Sequence, residues 1–127
     1  MKITNEIVDR VYGQHSAAQL ARVRRELESR KPPKVGRLSK LQREELAYMA
    51  RNPSGTIRDK RTGKALASRG LAAPEVTYFA GMPFREYGVT LDGLVHYWHS
   101  LILEPEKREA LPMVARVFIA LELSKRA

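Results

Sequence analysis

The sequence predicts a mainly α chain that carries one two-stranded β-hairpin. Serines followed three residues later by glutamine, Ser16 with Gln19 and Ser39 with Gln42, stand before runs whose apolar residues recur at helical spacing. Val76-Thr77-Tyr78-Phe79 and Phe84-Arg85-Glu86-Tyr87-Gly88-Val89 are extended in character and flank a turn-like Gly81-Met82-Pro83. Beyond Pro105 the apolar residues return to three- and four-residue steps. With 127 residues, 43% of them hydrophobic, the chain is long enough for one real core.

Residues 4–12 place Ile7, Val8, Val11 and Tyr12 on one face of a short helix that Gly13 ends. A second helix opens at Ser16 and runs to about Arg30, with Leu20, Val23 and Leu27 on one face and arginines on the other. Lys31-Pro32-Pro33-Lys34-Val35-Gly36-Arg37 cannot continue it, because proline lacks an N–H and pushes the preceding residue out of the helical region. That stretch reads as a charged linker or an arm that orders on binding. The helix from Ser39 carries Leu41, Leu46, Met49 and Ala50 and stops at Asn52-Pro53. After a short extended connection, Asp59 caps a basic helix that ends at Arg69-Gly70. The hairpin follows. Thr90 or Asp92 then starts a helix to Ile102, interrupted by Glu104-Pro105, and a last helix runs to about Lys125.

Three parts are expected: a basic helical extension over 1–38, a central domain over 39–103 and a C-terminal helix over 104–127. The last helix is apolar nearly all round between Met113 and Leu123. Its Leu111, Val114, Val117, Phe118 and Leu121 are expected at a homodimer interface, or else against the rest of the same chain.

Net charge is +9, and it is segmental. Residues 15–43 carry +7, residues 54–70 carry +4, and the chain from Leu71 onward carries −1. Such segregation is expected when one part of a molecule faces a polyanion. No cysteine is present, which removes disulfides and thiolate chemistry. The N-terminus lacks an apolar targeting segment and no run is long enough to span a bilayer, so a cytoplasmic protein without membrane contact is expected.

Thr62-Gly63-Lys64-Ala65-Leu66-Ala67-Ser68-Arg69-Gly70-Leu71 and Tyr87-Gly88-Val89-Thr90-Leu91-Asp92-Gly93 resemble two phrases of winged helix-turn-helix regulators, the MarR- and PadR-like families in the broad sense. The first resembles the close of their recognition helix and the second the return from their wing. The resemblance covers residues 39–103 and implies a winged helix-turn-helix fold. It further implies sequence-specific binding of double-stranded DNA by a small homodimeric transcriptional regulator, with no cofactor. Arg58, Lys60, Arg61, Thr62, Lys64 and Arg69 would then meet DNA from the basic helix, and Arg85 from the wing. Arg22, Arg24, Arg25, Arg30, Lys31, Lys34 and Arg37 would neutralise phosphates outside that site, or else form a solvated face. In three respects the sequence departs from the family. Arg51–Arg58 is short for the second helix of a helix-turn-helix, Gly63 lies inside the recognition helix, and the wing tip Ala80–Phe84 is apolar.

Two other classes remain open: an interaction protein docking through its hairpin tip and C-terminal helix, and an RNA-binding module. His96 and His99, three residues apart, are spaced for a metal but have no evident third ligand, and no catalytic motif stands out, so neither metal nor enzyme is expected.

Overall fold

The structure, a computed structural model, describes residues 16–52 and 55–126, without the side chains of Thr77, Lys125 and Arg126. The helix expected over 4–12, its stop at Gly13, and Pro53 lie outside the described residues.

Helix α1 (Ala17–Ser29) begins in a reciprocal cap. The Gln19 N–H donates to Ser16 Oγ at 3.2 Å while the Ser16 N–H donates to Gln19 Oε1 at 3.1 Å. Helix α2 (Lys40–Arg51) repeats this at Ser39 and Gln42, at 3.1 and 2.9 Å. Each box satisfies two backbone donors that a helix start leaves without partners. Between the helices the chain has no regular secondary structure, with Leu38 buried and Val35 packed against the core. The supposed arm is therefore anchored at its C-terminal half.

Helix α3 (Lys60–Ser68) ends with Gly70 at φ 75°, the Gly70 N–H on the Ala67 carbonyl and the Leu71 N–H on that of Leu66. Glycine takes this left-handed turn at little cost, and it delivers the chain into the hairpin with Leu66 and Leu71 both buried. Strands β1 (Ala72–Phe79) and β2 (Met82–Val89) pair antiparallel in continuous register from Ala72 opposite Val89 to Phe79 opposite Met82. The turn is Ala80-Gly81, both at positive φ, one residue earlier than the sequence suggested. Met82 and Pro83 belong to β2. Ile57 adds a third, one-residue strand by exchanging both backbone bonds with Tyr87, at 3.0 and 2.9 Å.

Thr90 caps helix α4 (Leu91–His96), accepting the Gly93 N–H at 3.1 Å and donating to the Gly70 carbonyl at 2.6 Å. Over Tyr97–Leu101 the helix widens into a π turn, the Ile102 N–H reaching the Tyr97 carbonyl. A 3₁₀ turn, Glu104–Glu106, leads to helix α5 (Lys107–Arg126). This helix passes through Pro112, which forfeits one bond to the carbonyl of Arg108.

The core has two centres. One gathers Val23 and Leu27 of α1, Leu94 and Trp98 from the region of α4, and Val114, Phe118 and Ile119 of α5. The other joins Leu46 and Met49 of α2 to Ile57, Leu66, Leu71 and Ala72 at the base of the hairpin. Leu111, Val114, Val117 and Phe118 are buried within this chain, and Leu121 packs partly buried beside them. The stripe expected at a dimer interface is thus covered by α1, α2 and α4 and does not itself require a second subunit. Helices α1 and α5 pack together with the α4 region in the first of these centres.

Gly93 marks a close approach of α4 to the backbone that leads into the hairpin. A Cβ there would overlap the Leu71 carbonyl oxygen and stand 2.9 Å from Val89 Cγ2. Gly93→Ala is expected to destabilise by about 2 kcal/mol in urea unfolding, because a backbone atom cannot swing aside as a side chain can. An unchanged midpoint would mean that α4 does not sit this close to the hairpin.

Candidate nucleic-acid interface

Asp59 fixes the start of α3. Its Oδ1 accepts the Arg61 N–H at 3.0 Å and its Oδ2 accepts the Thr62 hydroxyl at 2.8 Å. The Thr62 hydroxyl, followed by the backbone N–H groups of Arg61 and Thr62 and the Arg61 charge, holds the Asp59 carboxyl below its ordinary value, against a desolvation effect of opposite sign. Thr62 is only 4% exposed. It holds the cap and lies on the buried side of α3, not on the exposed face where the resemblance implied a DNA contact.

The inner side of α3 is locked by contact. Thr62, Gly63 and Leu66 are buried, and a Cβ on Gly63 would enter the Tyr87 ring, within 2.5 Å of its Cε2. The glycine that looked out of place in a recognition helix is what lets α3 lie on the hairpin. At 3.6 residues per turn, Lys60, Arg61, Lys64 and Ser68 share an arc of about 100° on the opposite side, and all four are exposed. Among the described residues no carboxylate forms an ion pair with Lys60, Arg61 or Lys64. An open depression of about 490 Å³ beside them is lined by Ser39, Leu41 and Gln42 of the α2 start and by Asp59, Arg61, Thr62 and Ala65.

The other expected contacts divide into two groups. Arg58 gives its Nε to Glu86 Oε1 at 2.8 Å and lies over the Phe84 ring, while the Thr56 hydroxyl donates to Glu86 Oε2. Glu86, 3% exposed, thereby ties the Ile57 segment to β2, a role the sequence did not disclose. Arg69 turns back to the Ala65 carbonyl. Arg22 is paired with Glu122 at 2.9 Å and lies over Phe118. Arg24 meets Glu28 at 2.9 Å, Glu104 at 3.6 Å and the Trp98 ring. Arg30 meets Glu26 at 3.6 Å. These cations hold the protein to itself. By contrast Arg25, Lys31, Lys34, Arg37 and Arg85 are exposed, and no ion pair within 4.0 Å involves them among the described residues.

The two histidines of the π-turn region do not converge on a site. His96 is buried, and desolvation lowers its pKa, whereas a ring nitrogen of His99 lies 2.9 Å from the Leu27 carbonyl. Among the described residues no cluster of three potential metal ligands occurs, and no helix is long and apolar enough to cross a membrane.

The distal hairpin is apolar on both faces. Val76, Tyr78, Phe79, Met82 and Phe84 are all exposed, and Val76–Phe84 carries no charged side chain. Between α2 and α3 the described residues hold the Ile57 bridge and not a helix, so the second helix of a helix-turn-helix is missing there. Compared with known proteins, the chain matches no family model, no curated protein and no solved structure.

Proposed function

We propose that the protein binds double-stranded DNA sequence-specifically as a small homodimeric transcriptional regulator. In this reading the fold is a reduced winged helix, in which α3 serves as the recognition helix and the hairpin as the wing. The observation that carries it is the two-sidedness of α3. Its inner side is fixed by Asp59, Gly63 and Leu66, while Lys60, Arg61 and Lys64 project from the first two turns without ion pairs among the described residues. A helix so held can enter a major groove, where arginine pairs with guanine and lysine with phosphate. Arg25, Lys31, Lys34, Arg37 and Arg85 supply further positive charge for the backbone.

The exposed hairpin tip favours a second reading, an interaction protein that docks through its wing. The C-terminal helix drops out of that reading, because its apolar face is already buried. Selection of random double-stranded DNA by the purified protein at about 150 mM salt, near physiological ionic strength, separates the two. An enriched inverted repeat supports the regulator. Recovery of unenriched DNA, or of none, supports the interaction protein; preference for structured RNA in competition overturns both.

A further inference from the structure

Peptide groups along a β-strand point alternately to either side, and Tyr87 fixes the phase of this hairpin. Tyr87 spends both its N–H and its carbonyl on Ile57, so they point away from β1. Pro74, its cross-strand partner, must point its own groups away from β2, and so must Val76 and Tyr78 farther along the strand. The same phase turns the groups of Arg85 and Pro83 outward on β2. Pro83 has no N–H and Tyr87 is occupied, so that edge offers no run of donors. On β1, Pro74 lacks an N–H, but Val76 and Tyr78 keep complete outward groups. Among the described residues no other backbone segment meets them, and the two residues are 52% and 73% exposed.

We infer that this edge of β1 binds a second copy of the chain, β1 against β1, antiparallel and centred on Thr77. That register sets Val76 opposite the partner's Tyr78 and Tyr78 opposite the partner's Val76. It closes four N–H···O bonds and forms two aromatic and β-branched pairs of the kind that stabilises sheets. The contact is its own mate under a two-fold axis, so it closes as a dimer, and Pro74 and Pro83 stop the pairing from spreading. Charge permits the same occupant. On a protein of net charge +9, the uncharged span Val76–Phe84 is where another copy meets least repulsion. The side chains set against the partner are Val76 and Tyr78, so the pairing rests chiefly on the four backbone bonds and the dimer is a weak one.

This inference deepens the regulator reading by giving its homodimer an interface, and because its test contains no DNA, failure of the edge contact and failure of DNA binding are read separately. Sedimentation equilibrium of the full chain between about 1 and 500 μM is expected to show a monomer–dimer equilibrium. Val76→Pro removes the outward N–H and leaves the bonds between β1 and β2 intact. It is expected to raise the dissociation constant about tenfold or more. Met82→Lys, on β2 away from the edge, is expected to leave the dimer in place. In the wild type, amide exchange at Val76 and Tyr78 should slow as concentration rises, and this decides the matter if Val76→Pro does not fold. A monomer throughout the range, growth beyond two copies, or an edge whose exchange ignores concentration would each overturn the inference. So would a dimer that Met82→Lys abolishes and Val76→Pro leaves unchanged.

Discussion

Trp98→Ala is expected to lower the free energy of unfolding by about 3–5 kcal/mol, the largest stability effect of any single truncation considered for this chain. Trp98 is fully buried in the π turn at the meeting point of α1, α4 and α5. Its loss opens a cavity that rigid helices on three sides cannot close. The ring is also flanked by cations, with Lys107 Nζ at 5.2 Å and the Arg24 guanidinium at 6.0 Å from its centroid. Those two groups would lose their aromatic partner while keeping the carboxylate of Glu104. The indole N–H is buried and has no hydrogen-bond partner among the described residues, so the chemistry of the loss is one of volume and not of polarity. Trp98→Phe is therefore expected to cost about half as much, since it keeps an aromatic ring and removes an unsatisfied donor. Urea unfolding followed by far-UV circular dichroism measures both variants. Equal losses for Ala and Phe would show that the indole N–H does find an acceptor.

What the sequence made legible were features decided within a few residues. The caps at Ser16, Ser39, Asp59 and Thr90 depend on short loops of chain, and all four form. The same holds for Gly70, whose left-handed conformation follows from the need to leave α3 and enter β1. Features decided across the chain were hidden. The apolar breadth of α5 announces burial but not by what; α1, α2 and α4 together supply the cover that a second subunit had been asked to provide. Arg22 and Arg24 look like phosphate ligands when counted along the chain. Glu122 and Glu104 lie 100 and 80 positions away, and only folding shows that these pairs meet. The one-residue strand at Ile57 has no periodicity to announce it, and Glu86 reads as an ordinary solvent-facing strand residue until Thr56 and Arg58 close over it. Gly63 marked a place where the resemblance failed to explain a residue, and the Tyr87 ring accounts for it.

Replacing Lys60, Arg61 and Lys64 together by alanine is expected to weaken binding to a selected DNA site by about 10²–10³-fold at fixed salt. The slope of log affinity against log salt should become shallower by about 2–3, since each phosphate contact contributes about 0.9. The fold should survive. All three side chains are exposed, alanine is a good helix former, and the contacts that hold α3 belong to Asp59, Thr62, Gly63 and Leu66. Arg61→Ala alone should relax preference at one position of the site, while Lys60→Ala should weaken all sequences alike. Arg22→Ala supplies the contrast. Its guanidinium is engaged with Glu122 and Phe118, so its loss should lower stability and leave the salt slope within about 0.3 of wild type. Titration of labelled duplex at several salt concentrations reads all of these at once. If the triple variant keeps both its affinity and its salt slope, α3 is not the recognition element. If Arg22→Ala flattens the slope as much as the triple variant does, the ion pair to Glu122 opens on binding and α1 belongs to the interface.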